Sequence, residues 1–324
     1  MMHINDTTDE AVQSRAVQPQ DFERIRDLLV KTLAIAPLGF NWDIRRWEGM
    51  RWYDWRAAGN PDWHKDSQLW ETGAGEPVGL VHPDGIGFPY LEIHPDYRYL
   101  EADMITWAEA HLTGPAPDNA GRELQFLVYD YDVHRQRILA ERGYQEMPYG
   151  GVIRHLRLGQ QPLAEPDLAE GYTMRTPQPE DDQDAQQIAD LLNAAFNRTF
   201  HTALEYQRFT RRATCFRAEL DLVAVAPDGR FAAYVGIPYD EFNKHGIFEP
   251  VCTHPDHRQK GLAKAVMQEG LRRLRAWGAV DVVVETGDMI PANRLYDSLG
   301  FTEMYKGHMM QKTFRTDTAP VESP

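Results

Sequence analysis

Cysteine is scarce: the 324 residues contain two, Cys215 and Cys252. That is too few for a disulfide framework or a four-cysteine zinc site. The twelve histidines show no His-Glu-x-x-His or similar ligand spacing, so no metal is expected. No run approaches the ~20 apolar residues of a membrane-spanning helix. The polar, acidic start of the chain lacks the basic and apolar regions of a secretory signal. A reducing, cytoplasmic setting away from membranes is the expectation. Positive charge is also short: 34 Lys and Arg face 49 Asp and Glu, a net charge of −15. This balance argues against a nucleic-acid backbone as partner and is compatible with amines or simply with solubility. Neither a P-loop nor a three-glycine dinucleotide fingerprint occurs. What remains is an ordinary globular composition, 42% hydrophobic, at a length that suggests two domains of ~100–200 residues.

The chain repeats itself. The segment from Arg15 to Leu29 resembles the one from Arg175 to Leu192, beginning 160 residues later. His94-Pro95-Asp96-Tyr97-Arg98 returns as His254-Pro255-Asp256-His257-Arg258, again 160 apart. Residues 142–147 match 299–304, 157 apart. This period is far longer than a solenoid unit and implies a duplicated domain. The expected division is a disordered tail at 1–14, one domain at 15–158 and a linker rich in Pro and Gly at 159–171. A second domain at 172–314 and a disordered tail at 315–324 complete it.

In the second half, a short strand at 172–175 precedes a helix from Pro179 to about Phe196, where Ile188, Leu191, Leu192 and Phe196 recur at helical spacing. A further helix is expected at 204–212 and a hairpin of strands at 220–225 and 231–237 about a Pro-Asp-Gly-Arg turn. Residues 247–253 read as a strand, followed by a turn and a helix to Leu274. The β-branched run 280–285 reads as a buried strand, and Pro291 opens a short helix ending at Gly300. Two closing strands, 301–306 and 308–314, are expected to turn at Gly307. The fold class is α/β, of the α+β type, with mixed sheets flanked by helices.

Chemistry concentrates after Thr253. Free amides at a helix N-terminus carry partial positive charge and suit phosphate. Gly261 has no Cβ to obstruct a diphosphate, Ala263 is the next small residue, and Arg258 and Lys260 add charge. The run from Val251 through Pro255, Arg258 and Gly261 to Ala263, then Asn293, Tyr296 and the Gly300-Phe301 pair ~30 residues on, resembles the GNAT acetyltransferase family. The resemblance covers 172–314 and implies two tandem GNAT acyl-CoA N-acyltransferase folds. It implies acetyl-CoA as co-substrate, with the backbone at Val251, Cys252 and Thr253 holding the acyl group and pantetheine. A β-bulge in this strand would splay the sheet to admit it. Arg258, Gln259, Lys260, Gly261, Leu262, Ala263 and Lys264 would cradle the diphosphate. Asn293 would contact the pantetheine arm, and Tyr296 would sit near the sulfur and protonate the leaving thiolate. Glu249 is the candidate general base for a small-molecule or peptide amine acceptor. Cys252, without a partnered histidine, reads as a small core residue rather than a nucleophile. A non-catalytic acyl-CoA-binding module is the alternative function. A monomer or homodimer is expected.

Aligned by the repeat, Gly261 and Ala263 face Glu101 and Asp103, Asn293 faces Gln136 and Tyr296 faces Leu139. Residues 15–158 therefore read as a degenerate GNAT domain, with two carboxylates standing where phosphate would lie. Five tryptophans fall between Trp42 and Trp63. Aromatic packing is the favoured reading of that segment, with a ligand-stacking surface as the alternative. His201 belongs to a polar segment expected to roof the acceptor side.

Overall fold

A computed structural model describes residues 11–54, 59–116, 121–287 and 289–315. Most of both expected tails lies outside these residues, although Gln13 and Ser14 already belong to the first strand, Gln13–Ala16. Eight α-helices occur among the described residues. They are α1 (Phe22–Ile35), α2 (Ile44–Trp52), α3 (Glu101–His111), α4 (Val133–Glu141), α5 (Asp182–Phe196), α6 (Ala203–Arg212), α7 (Leu262–Ala276) and α8 (Ile290–Ser298).

The chain forms two compact units that exchange segments instead of following 15–158 and 172–314. The first takes residues 1–42, 64–150 and 307–324, and the second takes 43–63 and 151–306. In the first unit, Gln13–Ala16, Gln68–Glu71, Pro77–Pro83 and Pro89–Ile93 form an antiparallel sheet in sequence order. A second sheet pairs Gly121–Tyr129 with Gly114–Pro115 and with residues 307–315. Leu91, Ile93, Met104, Ile105, Leu124, Phe126 and Leu139 make its core.

The second unit also has two sheets. One runs in the order Thr173–Arg175, Leu222–Val225, Phe231–Val235, Val251–Thr253, all antiparallel. The other runs Tyr239–Asp240, His245–Ile247, Asp281–Thr286, Val152–Arg157 and then residues 303–306. Among the described residues, only the pairing of His245–Ile247 with residues 281–283 is parallel. The core fills with Val235, Ile237, Phe248, Val266, Leu271, Leu274, Val282, Val284 and Phe301. Burying such side chains at ~1.5–3 kcal/mol each is the main favourable term. The segment 159–171 has no helix or strand, yet Leu163 and Leu168 pack on this core and Glu165 pairs with Arg272.

Two sequence expectations need correction here. There is no closing hairpin at Gly307: Glu303–Arg315 is one continuous strand in which Gly307 pairs with Tyr129. The slot its second arm would fill beside 303–306 is taken by Val152–Arg157. The expected strand 247–253 is also two pieces in two sheets, His245–Ile247 and Val251–Thr253.

The repeats mark matching clamps. Arg15 grips both carboxylate oxygens of Asp21, at 2.7 and 2.9 Å, and the Gln18 amide donates to the same group at 2.8 Å. Arg175 grips Asp184 at 2.6 Å through both nitrogens, and the Gln178 amide donates at 2.8 Å. The two histidines of the second repeat do likewise: His94 and His254 each accept from the amide two residues on. Each clamp ties an opening strand to the following helix through charge-assisted bonds.

Candidate active site

The site begins with a strand that changes partners. Residues 231–240 and 245–253 are the arms of one long hairpin, registered as Tyr239 to Gly246 and Val235 to Val251. Four steps along one arm therefore face five along the other, so one residue is extra near Glu249 and the strand bulges. Gly236 there donates to the Pro250 carbonyl and accepts from the Glu249 amide, both at 3.0 Å. The Glu249–Pro250 peptide is cis. On its other edge, the second arm pairs with residues 281–283, and its last link is the Phe248 amide on the Val283 carbonyl at 2.9 Å. Beyond that point the strands part. Val251–Thr253 becomes the edge of its sheet, while residues 281–286 stay paired with 152–157 along their whole length.

A cavity of about 520 Å³ opens between the parted strands. Phe248, Glu249, Pro250 and Val251 form one wall and Glu285, Thr286 and Gly287 the other. Tyr296 of α8 also lines it. A third face comes from the loop between α5 and α6, where Asn197 ends α5 in a left-handed conformation and Thr202 caps α6. The loop carries Arg198, Phe200 and His201, and the first turn of α6 adds Glu205. The last face is α2 and its C-terminal end, with Arg45, Tyr53 and Asp54. Glu48 fixes α2 here by accepting from the Thr214 hydroxyl at 2.7 Å and the Cys215 amide at 3.0 Å.

Past Thr253 the backbone forms an amide-rich turn. The short 3-10 helix Pro255–His257 is followed by Gln259 and Gly261 at φ of +63° and +73°. The first bond of α7 is from the Ala265 amide to the Gly261 carbonyl, so the amides of Leu262, Ala263 and Lys264 have no intrahelical acceptor. A Cβ at Gly261 would project into open space, where an incoming group would meet it. Arg258 and Lys260 brace this turn. Arg258 donates to the Ala195 carbonyl at 2.9 Å, and Lys260 donates to the Tyr172 hydroxyl at 2.9 Å.

The sequence-marked residues fare differently. Glu249 and Tyr296 share the cavity. Glu249 is 43% exposed in its side chain and faces Arg45 at 3.5 Å. Burial, with the charge of Glu249 and against that of Arg154, pushes the Tyr296 phenol up to about 12. Val251 faces the cavity, whereas Cys252 is buried among Tyr206, Tyr234 and Ile188. That burial pushes its thiol up to about 12, as suits a core residue. The Asn293 amide is engaged: it accepts from Arg154 at 2.8 Å and donates to the carbonyls of Gly287 and Met289 at 3.0 Å. It therefore holds the start of α8, and a pantetheine contact would have to displace one of these bonds.

Sequence reasoning missed Arg45, Tyr53, Arg154 and Glu205. Arg45, Tyr53 and Arg154 lie before residue 159 and reach the second unit by segment exchange. Arg154 is buried and ties Asn293, Asp297 and the Phe301 carbonyl together. Glu205 stands four residues after His201, a helical spacing that could have been read. The tryptophans mostly pack: Trp47 meets Trp63 edge-on at 5.5 Å, and Trp42 meets His82 at 4.4 Å. Trp55 lies outside the described residues.

The matching place in the first unit is closed. The 3-10 helix Pro95–Leu100 runs directly into α3, and the Glu101 amide donates to the Arg98 carbonyl. No left-handed turn intervenes. Glu101 is buried and, contrary to expectation, does not present a repelling charge to solvent. It is paired with Arg98 and with Arg135, the latter at 3.1 Å, while Asp132 pairs with Arg98 at 2.5 Å. Burial opposes the ionised form of Asp132, but Arg135 and Arg98 overcome it and hold the carboxyl below its usual range. Asp103 is exposed.

Residues 185–301 match the family model for the acetyltransferase (GNAT) family. This segment is a GNAT domain. Among solved structures, a GNAT N-acetyltransferase from Sphaerobacter thermophilus aligns at 22% identity and a TM-score of 0.60, over 94% of this chain and 96% of that one. A tandem GNAT protein from the clavulanic acid biosynthesis pathway aligns at 18% identity and 0.61, over 95% and 100%. A GNAT-family acetyltransferase from Colwellia psychrerythraea aligns at 10% and 0.58, over 93% and 100%. No curated protein matches by sequence. The fold is that of tandem GNAT proteins, with curled mixed sheets and flanking helices. No helix among the described residues is long and apolar enough to cross a membrane, and no group of three metal-ligating side chains occurs among them.

Proposed function

We propose that the second unit transfers an acetyl group from acetyl-CoA to a primary amine on a small molecule or peptide. The observation that carries this reading is the parting of the strands at Phe248. It leaves an edge strand beside a cavity and a turn of unpartnered amides just beyond it. An edge strand offers backbone donors and acceptors to an extended amide-bearing chain. The pantetheine arm of acetyl-CoA is such a chain, and Val251 and Thr253 would hold it. The amides from Gln259 to Lys264 would hold the diphosphate, with the helix dipole of α7 behind them.

In the reaction a carbon–nitrogen bond forms to the acceptor as the carbon–sulfur bond breaks. The acceptor's ammonium must first lose a proton, and the departing thiolate must gain one. Tyr296 is buried, protonated and on the cavity wall, and it supplies the second proton. Glu249 gives an approaching ammonium its counter-charge and is one of four carboxylates lining the cavity, with Asp54, Glu205 and Glu285, that suit the role of base. The test is release of free CoA from acetyl-CoA by the full chain against a panel of primary amines. Amine-dependent release is expected. Tight acetyl-CoA binding without release from any amine would favour the non-catalytic binding module.

A further inference from the structure

One imidazole in the cavity is held more firmly than a surface loop requires. The backbone of His201 is clamped on both sides by Asn193, whose Oδ1 accepts from the His201 amide and whose Nδ2 donates to its carbonyl, each at 3.0 Å. The ring Nδ1 lies 2.5 Å from Oε1 of Glu205, which is itself buried at the start of α6. Tyr53 meets the ring edge-on at 5.9 Å. On the far side, Arg198 Nη1 approaches Nε2 at 3.5 Å. A guanidinium can only donate, so Nε2 turns its lone pair toward Arg198, which an incoming ammonium displaces, and Nδ1 carries the hydrogen that Glu205 accepts. A carboxylate behind an imidazole fixes its tautomer and stabilises the cation formed when the front nitrogen takes a proton.

We propose that His201 Nε2 takes the proton from the acceptor's ammonium, with Glu205 as its positioning residue. This rests on the transferase reading above. The proton passes from the substrate nitrogen to Nε2, leaving the amine lone pair to attack and His201 as imidazolium against Glu205, and it leaves to solvent through the open cavity after turnover. Glu249 then keeps the role of counter-charge. It is the weaker base candidate because its charge is shared with Arg45. The charged and titratable groups facing the ring are Glu205 on α6, Arg198 on its own loop and Tyr53 after α2. Arg45, Asp54, Glu249 and Glu285 line the rest of the cavity.

The experiment measures kcat and KM across pH for the full chain with acetyl-CoA and the best acceptor among phenethylamine, glucosamine and L-lysine. H201Q, E205Q and E249Q are compared with the parent protein. H201Q is expected to lose ~10²-fold in kcat and the acid limb of its pH profile, with KM for acetyl-CoA unchanged. E205Q is expected to move that limb to lower pH, because the imidazolium loses its anion. Imidazole-nitrogen NMR supplies a readout independent of any acceptor. The signals that vanish in H201Q should show the Nδ1-protonated tautomer in the parent and lose it in E205Q. An acid limb that survives H201Q, or that E249Q abolishes instead, overturns the assignment alone, as does an Nε2-protonated tautomer in the parent. No release from any amine by the parent protein, with acetyl-CoA bound, overturns the transferase reading and this assignment with it.

Discussion

A phenol serves as a proton donor only while it keeps its proton, and burial keeps Tyr296 protonated up to about 12. Tyr296→Phe removes that proton and little else, because the ring still packs against Phe301 at 6.1 Å. The expected outcome is a ~10²-fold fall in kcat with KM for acetyl-CoA nearly unchanged, measured by steady-state kinetics. An unchanged kcat would remove Tyr296 from the mechanism. Tyr296 and Glu249 were legible because each sits inside a local run, the Asn293 to Tyr296 helix and the strand before Val251. Arg45, Tyr53 and Arg154 were not legible. Their neighbours lie ~100 residues or more away in sequence, and no local pattern encodes which half of a duplicated chain a segment will join. The duplication itself was legible at the level of single residues. Arg15 with Asp21 and Arg175 with Asp184 perform the same task in both copies, so both copies retain them.

At the level of elements, helical spacing of apolar residues located α5, and a starting proline with a stopping glycine located α8, to within a few residues. Such local signals could not show that residues 247–253 change sheets, because an extended run looks the same whichever neighbour it pairs with. Nor could they show that Gly307 continues a strand; glycine there marks pairing opposite Tyr129 rather than a turn. The strand at Leu222 opens with a buried acid that allows a signed prediction. Burial raises the Asp221 carboxyl to about 7, against hydrogen bonds from Tyr206 and Tyr234 that favour its ionised form. An unfolded aspartate titrates near ~3.9. Between those values the native state binds more protons than the unfolded one. The contribution is full below pH ~4 and is lost as pH rises through about 7. Asp221→Asn keeps an acceptor for the Tyr206 hydroxyl and removes the titration. Its unfolding free energy in urea relative to the parent protein should therefore move in the variant's favour from pH 4 to pH 8, by up to ~1.4 kcal/mol per pKa unit separating the two states. A constant difference across that range would show that Asp221 stays ionised.

At the scale of the whole molecule, duplication offers two places where the proposed acetyl-CoA would be sought, and the two have diverged in backbone as well as in side chains. In the second unit, left-handed Gln259 and Gly261 break the chain between the 3-10 helix and α7 and free the first-turn amides. In the first, helix runs into helix, and Glu101 and Asp132 provide the anions that Arg98 and Arg135 would otherwise seek in a ligand. Calorimetric titration with acetyl-CoA should therefore give a stoichiometry near one per chain. Gly261→Glu combines a left-handed strain of ~1–2 kcal/mol with a carboxylate set at the mouth of the amide turn, and should abolish binding. Glu101→Ala should leave the affinity at the remaining site unchanged but lower stability by ~3–5 kcal/mol, since it removes the carboxylate at 3.1 Å from the buried Arg135 guanidinium and leaves it Asp132 at 3.7 Å. Thermal unfolding and titration of the same sample separate these effects. Two equivalent binding events, binding that survives Gly261→Glu, or a new site created by Glu101→Ala would each contradict the account. The last outcome would mean that the first unit is only masked by its own carboxylates. The continuous helix at Glu101 argues otherwise, because removing a side chain does not reopen the backbone turn that the second unit uses.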